Sequence, residues 1–159
     1  MKKILFFTLV QVILMLFLFL NCRAQQIINA DLAEAKKAIA ESNEIYFQAF
    51  AKNDASKFIN LYAEDCWIMV PNALTLCGPD APGEFFETAY NKLGIRNGKF
   101  ITNDVYGISE GIVAEIGFWK LYNIGNIEFD DGKFLRLWKK TPKGWKIWRD
   151  SFSSSRSRK

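Results

Sequence analysis

The chain has 159 residues, 50% of them hydrophobic and 24% charged, with a formal net charge of +4. That length and apolar share suffice for one domain with a sizeable core, and they exclude a disordered or collagen-like chain. Histidine is absent, which excludes a Ser-His-Asp triad, a Cys-His pair, a histidine base and the usual His-containing metal sites.

Residues 1–24 read as a signal peptide. Lys2 and Lys3 precede an apolar run from Ile4 to Leu20 that is interrupted only by Thr8 and Gln11, the charged start and greasy core of an export signal. Cys22-Arg23-Ala24 offers small residues to a signal peptidase, so cleavage after Ala24 is favoured. Leu20-Asn21-Cys22 supports a second reading, a lipid anchor on Cys22, and an uncleaved membrane anchor is the third. The first two place the domain outside the cytoplasm, secreted or periplasmic, where disulfides persist. These 24 residues hold Lys2, Lys3 and Arg23 and no acid, so the remainder carries 18 basic and 17 acidic residues. Such a balance argues against nucleic acid as a partner, which needs clustered Lys and Arg. No membrane contact is expected once the signal is cleaved.

Residues 25–152 read as a single domain. Leu32, Ala35, Ile39, Tyr46, Phe47 and Phe50 recur at helical spacing between Ala30 and Lys52, with one polar break at Asn43. Asn53-Asp54 stops that helix and caps a short second one that runs to Tyr62. A third helix spans Pro79 to Leu93, with Phe85, Phe86 and Tyr90 inward and Gly94 closing it. Between the second and third helices, Val70-Pro71-Asn72-Ala73 reads as a hairpin turn. Centring it on Pro71 and Asn72 opposes Cys66 and Cys77, and a cross-strand disulfide is favoured over two inert thiols.

From Gly98 onward the pattern changes to strands rich in Val, Ile, Phe, Trp and Tyr. They are broken at 107–111, 123–126 and 141–144, giving about four in succession. Helices first and an antiparallel meander after is an α+β pattern. Residues 153–159, Ser153-Ser154-Ser155-Arg156-Ser157-Arg158-Lys159, read as a flexible basic tail. No phosphate loop, metal cluster or nucleotide fingerprint is present, so no cofactor and no metal are expected.

Several segments together resemble the nuclear transport factor 2-like superfamily. They are 46–54 (Tyr46-Phe47-Gln48-Ala49-Phe50-Ala51-Lys52-Asn53-Asp54), 61–67, Val70-Pro71-Asn72, 132–135, Trp138-Lys139-Lys140 and Gly144-Trp145-Lys146-Ile147-Trp148-Arg149-Asp150. They are most similar to its SnoaL-like, ketosteroid isomerase-like branch, which includes domains of unknown function. The resemblance covers about Asp31 to Phe152. It implies a cone-like, curved, mixed but mainly antiparallel sheet wrapped around three N-terminal helices, a pocket inside the cone and a homodimer. It does not specify a chemistry, because fold-level likeness predicts shape better than function.

In the isomerases an oxyanion-binding tyrosine sits on the first helix, and Tyr46 matches that position. The general base is an aspartate before the hairpin proline, and Val70 stands there. The second oxyanion donor aligns with Arg136. Without base and acid, that proton transfer is not available. Tyr46 then has a second reading as a core aromatic.

Centring the last hairpin on Pro142 and Lys143 places Phe134, Arg136, Trp138, Trp145, Ile147 and Arg149 on one inward face. Glu115, interrupting an apolar strand, is the internal partner for the two arginines. Together with Tyr46, Val70, Trp119 and Trp138 they outline an aromatic pocket for a small molecule, anionic if Arg136 and Arg149 anchor it. The alternatives are an internal ion-pair network or arginines on the outer sheet face. Asp150 is expected to brace the sheet, or to act as a base if the register is shifted by one residue. The leading functional reading is a small-molecule-binding domain. The second is a SnoaL-like enzyme using Tyr46 with Glu115 or Asp150, and the third is a structural module whose pocket is filled.

Overall fold

The structure, a computed structural model, describes the backbone of residues 2–156 and the side chains from Asp31 to Arg156 with a few before them. The side chain of Cys22, and with it the lipid-anchor reading, lies outside the described residues, as do 157–159. Nine elements follow in order: α1 (Lys2–Lys52), α2 (Ala55–Ile59), β1 (Tyr62–Met69), β2 (Leu76–Cys77), α3 (Ala81–Asn91), β3 (Asn97–Ser109), β4 (Ile112–Tyr122), β5 (Glu128–Thr141) and β6 (Gly144–Ser154). The strands form one open, mixed, six-stranded sheet in the order β2-β1-β6-β5-β4-β3. Among the described residues, only β1 and β6 pair in parallel.

Local sequence explains the element boundaries. Asn53 takes a left-handed φ of 52° and ends α1. Asp54 then caps α2, its Oδ1 accepting from the Lys57 N–H at 3.2 Å. Pro82 sits in the first turn of α3, where a missing N–H costs nothing. The turns at 110–111, 123–127 and 142–143 fall at the predicted breaks.

The helices cover the inner face of the sheet. Ala35, Ile39, Tyr46, Phe47, Ala49 and Phe50 of α1 are buried together with Phe58, Phe86, Trp138, Trp145 and Ile147. Aromatic rings dominate the contact: Phe58 lies 4.7 Å from Tyr46 and 5.3 Å from Phe50, centroid to centroid. Replacing Phe58 by alanine would cost about 3–5 kcal/mol by the usual penalty for a large buried aromatic. Gly98 permits the tightest approach of α1, because a Cβ there would overlap the Phe47 ring.

Three expectations are corrected. Tyr62 opens β1 instead of ending α2, pairing with Ile147. The first hairpin pairs Trp67 with Cys77 and Ile68 with Leu76, one residue away from the symmetric count, because seven residues, 69–75, lie between the last paired positions. Cys66 is therefore buried, Cys77 is exposed, and both are free thiols rather than a disulfide. Finally, the chain does not fray at Ser153. β6 runs through Ser154, and Arg156 is held by Asp131 Oδ1 at 3.1 Å and the Phe129 carbonyl at 2.7 Å.

Candidate functional site

The last hairpin contains one irregularity on which the site depends. Trp138 opposes Ile147, but Leu137 opposes Arg149 and Arg136 opposes Asp150. Trp148 is the extra residue of a β-bulge, and one extra residue exchanges the faces of everything beyond it. Arg149 is thereby turned to the outer face, against the expectation of an inward arginine. Its guanidinium stacks 3.9 Å from the Trp148 ring and 5.0 Å from the Trp67 ring. Asp150 takes the inward position.

Two like charges facing each other are replaced by an ion pair. Arg136 Nε donates to Asp150 Oδ1 at 2.7 Å, with both side chains fully buried. The Tyr62 hydroxyl donates to Asp150 Oδ2 at 2.8 Å. Arg136 Nη1 donates to the Asn43 amide oxygen at 3.2 Å, and Asn43 in turn donates to Glu115 Oε1 at 2.7 Å. Glu115 also accepts from Thr102 Oγ1 at 2.7 Å and from Trp138 Nε1 at 3.0 Å. The polar break in α1 is thus the link between two buried carboxylates and one buried cation.

The protonation states follow from burial and charge. Burial disfavours the Arg136 cation, but the charges of Asp150 and, to a smaller extent, Tyr46, Tyr62 and Glu115 together outweigh this and hold its pKa above the ordinary value. Burial pushes the Asp150 carboxyl upward against the opposing pull of Arg136. Burial, then the Asp150 charge, raises both Tyr46 and Tyr62, so both phenols stay neutral. One polar atom of the cluster, Arg136 Nη2, has no hydrogen-bond acceptor among the described residues. The guanidinium instead faces rings, 4.0 Å from the Phe100 centroid, 4.9 Å from Tyr46 and 5.1 Å from Phe134.

A cavity of about 810 Å³ lies on the other side of that aromatic layer. Its walls include Tyr46, Phe47 and Phe50 from α1, Val70 to Leu74 from the first hairpin loop, and Phe85, Thr88 and Ala89 from α3. The sheet contributes Phe100, Trp119, Leu121, Phe129 and Phe152. The Trp119 indole is fixed by donation to the Lys133 carbonyl at 3.1 Å. Polar groups at the walls include Asp130, Ser154 and Arg156, and these are already engaged: Ser154 Oγ donates to Asp130 Oδ1 at 2.7 Å and Arg156 Nε to Asp131.

Of the expected ligand-binding residues, Tyr46, Val70 and Trp119 therefore line the cavity. Glu115, Arg136 and Trp138 do not; they form the polar layer behind the wall, where their hydrogen bonds are directed at one another and at Asn43. Arg149 is outside. Sequence reasoning missed Phe100 and Phe152, which alternation along β3 and β6 makes legible once the bulge is known. It missed Ser154 and Arg156 because the serine- and arginine-rich end reads as a tail. Among the described residues, no group of three or more His, Cys, Asp or Glu is placed to hold a metal.

The fold is that of nuclear transport factor 2-like and ketosteroid isomerase-like proteins. A nuclear transport factor 2-like protein of unknown function from Shewanella oneidensis is 19% identical with a TM-score of 0.63, covering 75% of this chain and 98% of that one. A ketosteroid isomerase-like protein from Erwinia carotovora atroseptica is 19% identical with a TM-score of 0.64, covering 81% of this chain and 99% of that one. A type 2 hexachlorocyclohexane dehydrochlorinase, LinA, is 14% identical with a TM-score of 0.63, covering 80% and 90%. No protein-family model matches the sequence, and no curated protein matches it.

Proposed function

We propose that this chain is an exported domain that binds an apolar small molecule in the cavity between α1, α3 and the sheet. The observation that carries the reading is the division of labour around Tyr46. Its ring lines a cavity of about 810 Å³, within the usual range for small-molecule sites, while the buried carboxylates lie behind that wall and are saturated by internal donors. Proton transfer needs a base within hydrogen-bond reach of the substrate. Glu115 and Asp150 bond to their neighbours instead, which favours binding over the SnoaL-like enzyme reading. Arg136 contributes through the rings it polarises rather than by direct contact with an anion.

The test is a titration with the apolar dye N-phenylnaphthylamine, read as dye emission and as energy transfer from Trp119. Saturable binding with one dye per chain is expected. Absence of saturable binding would leave a structural module as the better description.

We further infer a homodimer through the outer sheet face. Trp67, Ile101, Phe118 and Leu135 are exposed large apolar side chains on β1, β3, β4 and β5. Strand alternation puts all four on the face away from the helices, and an apolar surface of that kind calls for a partner. Sedimentation velocity is expected to give a dimer for the native chain and a monomer for Phe118→Asp.

A further inference from the structure

Alternation along β5 sets one acid on the inner face of the sheet. Gly132, Phe134, Arg136 and Trp138 are buried, while Lys133 and Leu135 are exposed. Asp130 shares the parity of the buried set. It pairs across the sheet with Leu121, and both residues line the cavity.

Asp130 is half-buried, and its hydrogen bonds use only one of its oxygens. Oδ1 accepts from the Ser154 hydroxyl at 2.7 Å and from the Asp131 N–H at 2.9 Å. Among the described residues, Oδ2 has no hydrogen-bond partner and the carboxylate has no ion-pair partner. The neighbouring acids differ in this respect: Lys120 holds Glu128 at 2.9 Å, and Arg156 holds Asp131 at 3.1 Å.

The cations near the cavity are already committed. Arg156, on the wall, directs Nε to Asp131, Nη1 to the Phe129 carbonyl at 2.7 Å and Nη2 to Glu128 at 3.5 Å. Arg136 lies six residues further along β5, about 20 Å away by the usual strand rise. It sits behind the aromatic layer and is paired with Asp150. Among the described residues, the wall therefore offers a free carboxylate oxygen and no free cation.

We propose that the cavity takes an apolar molecule carrying one protonated amine, and that Asp130 is the residue that selects it. The apolar body lies against Tyr46, Phe50 and Phe100, and the ammonium donates to Asp130 Oδ2. The rings of Trp119 and Phe152, on the same face of the sheet, favour the positive charge further. Because Asp130 is only half-buried, the amine keeps part of its water. A carboxylate in the same place would meet a like charge with no cation to offset it, which fixes the sign of the preference. This inference rests on the small-molecule-binding reading and names its ligand class.

The experiment is displacement of N-phenylnaphthylamine from the full chain, near neutral pH, by three naphthalenes of similar shape: 1-naphthylmethylamine, 1-naphthalenemethanol and 1-naphthoate. The amine is expected to bind about tenfold or more tighter than the alcohol, the order of a charge-assisted hydrogen bond, and the acid is expected to bind weakest. Asp130→Asn keeps an oxygen for Ser154 and removes the charge. It should bring the amine down to the affinity of the alcohol, with dye and alcohol binding unchanged. Glu87→Gln, at an exposed acid on α3 outside the cavity wall, should leave the preference intact. Equal binding of amine and alcohol by the native chain, tighter binding of the acid, or an amine preference that survives Asp130→Asn overturns the proposal. In each of these cases the dye still binds, and the small-molecule reading stands. If neither dye nor naphthalene binds any form of the chain, that reading fails and this proposal fails with it.

Discussion

Arg136 and Asp150 face each other across β5 and β6, joined by a 2.7 Å hydrogen bond in which both side chains are shielded from solvent. A buried charge left without its partner is expensive, while replacing both partners by apolar groups is often tolerated. Arg136→Met is therefore expected to cost about 3–5 kcal/mol. Arg136→Met with Asp150→Leu should recover most of that loss. Urea unfolding of the two variants measures the difference, and equal destabilisation would show that the packing of the two side chains matters more than their charges.

Asn43 bridges Glu115 and Arg136 from α1. Asn43→Leu keeps the volume and removes both hydrogen bonds, so the expected cost is about 1–3 kcal/mol, the penalty for unsatisfied buried polar groups. The same variant should speed amide exchange in the middle of β4. Unchanged stability would mean that water takes over the bridge.

Val70 lines the cavity at the first hairpin and is only partly buried. Val70→Trp places an indole across the cavity without disturbing the polar layer. Dye affinity is expected to fall about tenfold or more, a change of roughly 1.4 kcal/mol, with the thermal midpoint within a few degrees of the native value. A matching loss of stability would instead mean that Val70 belongs to the core.

Burial raises the Cys66 thiol from its ordinary 9.0 to about 11. Between those values the unfolded chain releases the proton and the folded chain keeps it, so stability is complete below pH 9 and falls as pH rises toward 11. Tyr46 and Tyr62, raised above 10.0 by burial, add a loss of the same sign at higher pH. Urea midpoints from pH 8 to 11 should fall, and Cys66→Ala should flatten the first part of the decline. A midpoint rising with pH would contradict the assignment.

The two thiols of the first hairpin are expected to differ in reactivity at pH 8. Cys77 is exposed, whereas Cys66 is buried, its Sγ donating to the Gly78 carbonyl at 3.4 Å. Peptide mapping after brief alkylation should find Cys77 modified and Cys66 protected until urea is added. A disulfide-linked 66–77 peptide would instead restore the symmetric hairpin.

The periodicities of the chain by themselves determined the helix stripe from Ala35 to Phe50, the four long strands and the turns between them. Each of these depends on neighbours within a few residues. Tyr46 and Val70 were legible as cavity residues because the family resemblance aligned them with positions of the isomerase site. Which arginine points inward depended on one bulge at Trp148, which nothing in the local pattern of β6 marks. Alternation is a period-two signal, so a single extra residue reverses every later assignment, turning Arg149 out and Asp150 in. The same reasoning applies to the first hairpin, where seven residues between the last pair, Ile68 and Leu76, moved Cys66 away from Cys77. The link through Asn43 and the ordering of Arg156 belong to the tertiary structure alone. Both are polar contacts between residues far apart in sequence, satisfied only when α1 is laid on β4 and the chain end on β5.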